Sequence, residues 1–318
     1  MDKIIKMPES LRYSRDNENG IIRIKNKAGF SYLHHDKTLI ENPQTLERIG
    51  ALGLPPAYRD VWICKDDSGH LQATGLDEKG RKQYRYHADW TDFRARQKFR
   101  QIVAFGTALP SIRRRITRDL RGDDANKNFV CAALLRLIDR AALRAGHASY
   151  NATGATTLKR RHISLASHGL RLDFTAKGGK RVRKTIKDRT LAKVLQEIDD
   201  LPGRDLFQYI GVDGEVYNLD SGDANAYLRD DFTLKTFRTW HGSVAAFGHA
   251  LNDSKPTIKA MSEAAAERLH NTPAICRSSY IHPDIIDLSK GHDTKSYKDQ
   301  KTPGLRKTER LMLAYLQG

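Results

Sequence analysis

The chain has 318 residues, of which 55 are Lys or Arg and 38 are Asp or Glu, a formal charge of +17, and 39% are apolar. That length excludes one small module and predicts two domains, each with a core of its own, while the charge predicts a polyanionic partner. The three cysteines, Cys64, Cys131 and Cys276, lie too far apart for a disulfide framework or a paired metal-ligand spacing and fit a reducing cytoplasm.

The first residues carry no apolar core of signal-peptide length, so no leader and no membrane partner are expected. Residues 20–87 read as short strands and turns, with Ile22 and Ile24 alternating with basic residues and 61–65 joined by Asp66-Asp67-Ser68-Gly69 to 71–73. From Trp90 the period becomes helical: Phe93, Phe99, Ile102, Val103 and Phe105 predict one helix, and 111–120 a second. Val130, Leu134, Leu137, Ile138 and Ala141 give the strongest stripe, on a helix expected to end at Gly146, and its apolar run is interrupted by Arg136, so it does not span a membrane. Strands are expected at 163–165, 170–174 and 181–186, the last two joined by Ala176-Lys177-Gly178-Gly179, a turn that uses glycine's freedom at positive φ. A helix over 188–198, a hairpin at Val212-Asp213-Gly214 and helices over 234–251, 256–269 and 273–281 follow. The last of these carries Tyr280, and a polar loop over 290–301 precedes a terminal helix. The predicted fold class is α+β: a small, mostly β domain at 1–88, then a larger, mostly helical domain at 89–318 with a β insert.

Duplex DNA presents about one negative charge per 1.7 Å of axis, so a chain at +17 gains from counterion release when it docks there. Runs such as Arg113-Arg114-Arg115 and Lys159-Arg160-Arg161 also read as solvated helix faces, but the total excess favours double-stranded DNA, since neither an aromatic RNA-binding signature nor a basic amphipathic helix with an aromatic face is present. The segment from Gly80 to His87 combines the cations Arg81 and Lys82 with Gln83, able to read an adenine edge, and with Tyr84 and Tyr86. It reads equally as a DNA-contact face and as an amphipathic strand whose tyrosines pack on the β domain. His34, His35 and His168 read as surface histidines.

No carboxylate cluster suited to Mg²⁺ is legible, Asp123-Asp124 and Asp230-Asp231 being placed as turn or cap residues, and no Walker-type loop is present. Neither a metal nor a cofactor is therefore expected, and phosphoryl chemistry would have to run on cationic side chains. Several separated words in order resemble the type IB DNA topoisomerases in their compact bacterial and poxvirus-like form. They are Ala73-Thr74-Gly75-Leu76-Asp77 with Gly80-Arg81-Lys82-Gln83-Tyr84; Leu143-Arg144-Ala145-Gly146 with Tyr150, 154–158 and His162; Phe174-Thr175-Ala176-Lys177-Gly178-Gly179-Lys180; Lys235-Thr236-Phe237-Arg238-Thr239-Trp240; and the run from Asn271 to Tyr280. The resemblance spans roughly residues 20 to 290.

The resemblance implies that Tyr280 is a nucleophile forming a 3′-phosphotyrosyl bond with a DNA strand, that Arg144 and Arg238 hold the non-bridging oxygens, and that Lys177 on its hairpin is the general acid. Lys235 and Tyr150 take supporting, phosphate-positioning parts, and Arg81, Lys82, Gln83, Tyr84 and Tyr86 touch DNA. It further implies relaxation of positive and negative supercoils without ATP or required metal, by a monomeric clamp associated with the nucleoid. One departure stands out: where the poxvirus enzymes carry a Gly-His pair before the Thr-Pro, this chain has His270-Asn271, as bacterial members do. Asn271 can donate a hydrogen bond but takes no charge, and the sequence leaves open whether His270 or Asn271 meets the phosphate. A tyrosine recombinase would share Arg, Lys, Arg and Tyr but usually has His-x-x-Arg where this chain has Lys235-x-x-Arg238. A non-catalytic DNA-binding protein would share only the charge.

Overall fold

The computed structural model describes residues 7–27, 29–122, 125–146, 153–228, 232–291 and 301–318. The chain divides into two compact units, Met1–Lys98 and Phe99–Gly318.

In the first unit β1 (Ile21–Asn26) and β2 (Gly29–Leu33) form a hairpin, followed by α1 (Pro43–Ala51), β3 (Arg59–Ile63), β4 (Leu71–Leu76) and β5 (Lys82–Tyr86). The strands make one antiparallel sheet in the order β2-β1-β3-β4-β5, which leaves β5 at an edge. Its core is Ile21, Ile40, Ile49, Val61, Ile63 and Ala73, with Tyr32, Leu52, Leu54 and Tyr58 packed against it. The sequence reading missed α1. Asn42 caps it by accepting from the Thr45 N–H at 2.9 Å and Pro43 pre-sets its first turn. Only Ile49 of its nine residues is fully buried, so it shows no helical stripe. β4 is buried along nearly its whole length, and its one long polar side chain is fully satisfied: Gln72 donates to the Asp66, Asp67 and Gly69 carbonyls and accepts from Arg48.

A long helix, α2 (Ala88–Asp119), follows. The sequence predicts two helices here, and the structure has one, continuous through Pro110. Phe99, Ile102, Phe105, Leu109, Ile112 and Ile116 keep one buried face in phase on both sides of the proline, and that burial outweighs the missing hydrogen bond.

The second unit continues with α3 (Lys127–Ala141), β6 (Ile163–Ala166), β7 (Gly169–Thr175), β8 (Arg181–Ile186) and α4 (Arg189–Asp199). It goes on to β9 (Gln208–Ile210), β10 (Val216–Asn218), α5 (Ser221–Leu228), α6 (Leu234–Asn252), α7 (Ile258–Leu269), α8 (Pro273–Ser279), α9 (Pro283–Asp287) and α10 (Lys307–Gln317). Strands β6, β7 and β8 form an antiparallel sheet whose β7–β8 turn has Gly178 and Gly179 at φ +78 and +73, and β9–β10 is the hairpin expected around Gly214. The sequence expectation that α3 reaches Gly146 fails: Ala142 turns left-handed at φ 56, so Arg144 stands beyond the helix rather than in its last turn. Helix α6 is buried on nearly every side. Phe237 and Trp240 meet Phe105 edge-on, with centroids 4.9 and 5.9 Å apart, and the buried polar residues Arg238, Thr239, His241 and Ser243 share the helix. No described helix is long and apolar enough to cross a membrane.

Candidate active site

The second unit brings Arg238, Tyr280 and Asn271 together because α6, α7 and α8 follow one another with short connections. Arg238 lies on α6, 3% exposed, its guanidinium carbon 5.0 Å from the centre of the Tyr280 ring. Nη1 donates to the Ala142 carbonyl at 2.5 Å and Nη2 to the Leu269 carbonyl at 3.1 Å, so one side chain joins the ends of α3 and α7. Burial lowers its pKa, an effect that Tyr280 opposes and the Arg144 charge reinforces.

Tyr280 is half-buried and caps α8 with φ −135, so it closes the helix rather than riding within it as the sequence suggests. Its amide donates to the Cys276 carbonyl at 2.9 Å. Ser243 on α6 pins the segment, its hydroxyl donating to the Tyr280 carbonyl at 3.3 Å and accepting from the His282 N–H at 3.0 Å. Gly242 makes this approach possible, because a Cβ there would lie 2.7 Å from the Tyr280 carbonyl oxygen and 3.1 Å from its Cβ. Neither Gly242 nor Ser243 was singled out in the sequence. Helical spacing could have found Gly242, four residues on from Arg238; nothing in the sequence marks Ser243.

Asn271 is 8% exposed between α7 and α8. Its Oδ1 accepts from the Thr272 N–H at 3.0 Å, while Nδ2, like Arg238 Nε and His270 Nε2, is buried with no hydrogen-bond partner among the described residues. Buried polar groups are almost always paired, and an unmade bond costs about 1–3 kcal/mol, so the Arg238 Nε and Asn271 Nδ2 donors are free to take an acceptor. His270 adopts a left-handed conformation, φ 49 and ψ 55, at the end of α7. Burial and the charges of Lys184, Arg238, Arg268 and Lys180 push its pKa down to about 4, which keeps the ring neutral at pH 7.

The block around Arg144 is held by backbone pairing: the Arg144 carbonyl accepts from Ala155 N–H and the Ala145 carbonyl from Thr156 N–H, both at 2.7 Å. The two words Leu143-Arg144-Ala145-Gly146 and Gly154-Ala155-Thr156-Thr157-Leu158 thus lie side by side. The Arg144 charge is felt at both Arg238 and Cys276. Lys177 is exposed at the β7–β8 turn, and Lys180, three residues on, is a hairpin cation felt at Cys276 and His270. Lys235 is exposed on the first turn of α6, one turn before Arg238. Tyr150, Asp123, Asp124, Asp230 and Asp231 lie outside the described residues. Among the described residues no three His, Cys, Asp or Glu side chains cluster as a metal site.

In the first unit the edge strand β5 turns Lys82, Tyr84 and Tyr86 to one face, the two tyrosines 47% and 45% exposed and stacked 6.1 Å apart. They are therefore surface side chains and not part of the sheet's core. Tyr86 leads to His70, which stacks on Tyr13 at 4.6 Å and meets Trp90 edge-on, with Arg15 over Tyr13 and Arg94 over Trp90. Tyr13, far from β5 in sequence, and Trp90, four residues past its end, extend the face and were not read as part of it. Arg81 and Gln83 both donate to Asp77, whose carboxyl the Arg81 side chain and backbone N–H hold down at about 2, and Lys82 pairs with Asp16.

A family model described as the bacterial DNA topoisomerase IB N-terminal domain matches residues 29–77. A second, the eukaryotic DNA topoisomerase I catalytic core, matches residues 87–277, more than half of the chain, stopping just short of Tyr280. DNA topoisomerase 1B of Acanthamoeba polyphaga mimivirus is 28% identical over 292 residues, which cover 85% of this chain and 87% of that protein.

Proposed function

The chain belongs to the type IB DNA topoisomerase family, isomerases whose substrate is DNA, and from that premise we propose that it relaxes positive and negative supercoils through a transient 3′-phosphotyrosyl link. Tyr280 gives up its phenolic proton to solvent as Oη attacks the scissile phosphorus, the P–O5′ bond breaks, and the 5′-hydroxyl leaves with a proton supplied by Lys177, which solvent replaces. The downstream duplex turns about the intact strand, and the reverse attack restores the phosphodiester and frees the tyrosine. The ester energy is kept in the link, so no nucleotide is consumed. Arg144 and Arg238 hold the two non-bridging oxygens as negative charge gathers on them, with Asn271 Nδ2 donating beside them and Lys235 and Tyr150 positioning the phosphate. Arg81, Lys82, Gln83, Tyr84 and Tyr86 contact the duplex, the first three exchanging their Asp77 and Asp16 partners for DNA, and the protein works as a monomeric clamp in the nucleoid.

One observation carries this reading: the Arg238 guanidinium lies over the Tyr280 ring, with its Nε and the Asn271 Nδ2 buried and without a hydrogen-bond partner among the described residues. Relaxation of plasmids of both supercoil signs in EDTA without ATP, with SDS trapping, tests it. Complete relaxation and a protein-linked 3′ end are expected, whereas an absolute requirement for Mg²⁺ or ATP, or a free 3′ end, would overturn it.

A second expectation arises from the contact between α6 and Tyr280. Gly242→Ala places a methyl against the Tyr280 carbonyl, and misplacing a reacting group by about 1 Å costs about 10²-fold in rate. Single-turnover cleavage by this variant should slow by about 10- to 100-fold with DNA affinity little changed; wild-type cleavage would mean that the α8 segment yields without moving the nucleophile.

A further inference from the structure

The ends of α3 and α7 share an unusual construction. Each closes on a left-handed residue that is not glycine, Ala142 at φ 56 and His270 at φ 49, a conformation that side chains disfavour. Each turn presents a site residue just beyond it, Arg144 after Ala142 and Asn271 after His270. The last carbonyls of a helix lack intrahelical partners and carry partial negative charge. Here they are taken pairwise: Arg238 bridges Ala142 O and Leu269 O, and Lys184 bridges Ala141 O at 3.0 Å and Arg268 O at 3.2 Å. Two cations thus fasten the same two helix ends, each through one carbonyl on either side.

Lys184 belongs to β8, the second strand of the hairpin whose turn carries Lys177. Its ammonium therefore joins three segments, each bearing one residue of the proposed site: the hairpin, the Arg144 arm and the Asn271 arm. Arg238 has donors left for a phosphate oxygen, Nε among them, but any turn of its planar fork toward that ligand loosens its hold on the two carbonyls, whereas Lys184 has no second task. Resting on the function proposed above, we propose that Lys184 is a positioning residue that keeps the Arg144 and Asn271 arms and the Lys177 hairpin in register while Arg238 engages the scissile phosphate. It touches no reacting atom.

The placement is costly for a lysine, which fits a dedicated role. Burial, then the charges of Arg268 and Arg238, push its pKa down to about 8, while Glu267 pulls the other way and His270 faces it as a neutral ring. An aliphatic side chain of similar length would fill the space without that conflict, but would leave two helix-end carbonyls unpaired.

Lys184→Met keeps the length and removes the donor, and Lys184→Arg restores a donor. For each, DNA affinity, thermal midpoint and the single-turnover rate of covalent adduct formation at saturating DNA are measured, the rate taken about 20 °C below each variant's own midpoint and normalised to the folded fraction. Lys184→Met is expected to form adduct at least about 30-fold more slowly, with affinity within about threefold of wild type, the signature of misplaced groups rather than lost binding. Lys184→Arg should recover most of that loss. The proposal is overturned if the normalised rate of Lys184→Met equals that of wild type, if affinity falls in step with rate, or if arginine recovers nothing. Wild-type protein that forms no adduct would instead overturn the proposed function.

Discussion

Tyr280→Phe is expected to abolish covalent adduct formation and plasmid relaxation while leaving the fold and DNA affinity nearly unchanged. The substitution removes one oxygen. The ring stays, and with it the packing over the Arg238 guanidinium at 5.0 Å, the backbone bonds to Cys276 and Ser243, and the fit against Gly242. Arg238 keeps its two carbonyl acceptors, so no buried charge is left without a partner. Loss of a nucleophile is more severe than loss of any one charge-stabilising donor, which typically costs about 10²–10³-fold, and a fall of at least about 10⁴-fold is expected here. The measurement is SDS-trapped adduct from a 5′-labelled strand, with affinity measured on the same DNA. Residual adduct in the phenylalanine variant would move the nucleophile to another tyrosine and remove Tyr280 from the site.

The second large effect is on stability. Behind the site, α2, α3, α6 and α10 are joined by one buried charge network. Arg113 donates Nε and Nη2 to Asp139 at 2.8 and 3.0 Å and both Nη groups to Glu309 at 2.8 Å. His241 Nε2 lies 3.0 Å from Asp139 Oδ1, and Glu309 also accepts from the Trp240 indole and the Arg306 N–H. Breaking a buried pair by removing one partner costs about 3–5 kcal/mol because the other charge is stranded. Glu309→Ala should therefore destabilise the second unit by about that much, lowering its thermal midpoint by roughly 6–20 °C at about 2–4 °C per kcal/mol. Glu309→Gln, which keeps an acceptor for Trp240 and Arg306, should cost less. Equal midpoints for wild type and the alanine variant would show that Asp139 alone satisfies Arg113.

The same network sets the direction of the pH dependence. Burial lowers the pKa of His241, outweighing the hydrogen bond with Asp139. Burial raises the carboxyls of Asp139 and Glu309, but the bonds from His241 and Arg113 to the first and from Arg113 to the second outweigh it and leave both low. All three groups bind fewer protons folded than unfolded, so acidification favours the unfolded chain. The contribution of His241 is whole above its ordinary value of about 6.5 and drains away as pH falls below it, and that of the carboxylates below about 4. His270, with its pKa near 4, adds to the loss between about 6.5 and 4. Thermal midpoints should fall steadily from pH 7 to 5 and more steeply below 4; a midpoint that rose on acidification would show His241 to be charged in the folded state.

Much of this protein is written locally. The change from alternating residues to a period of 3.6 places the start of α2 near Ala88, the stripe from Val130 to Ala141 makes α3, and two adjacent glycines make the turn that exposes Lys177. Each is a preference of neighbouring residues, so composition and order suffice to reveal it. The words flanking Arg144, Arg238 and Tyr280 are likewise contiguous, which is why the candidate residues could be named from the chain alone. What depends on distant partners was not legible. Pro110 reads as a break, yet the burial of residues either side of it keeps α2 whole. Gly146 reads as a helix end, yet Ala142 turns first, with its carbonyl held by Arg238 from 96 positions away. Arg113 reads as one of three surface cations, yet it meets Glu309 across 196 positions. Lys184 reads as one more basic residue of a strand until α3 and α7 end beside it. Short-range periodicity selects the elements, because backbone geometry repeats within a few residues. The pairing of charges, and the burial that makes each pair matter, is decided only when the elements pack and water is excluded between them.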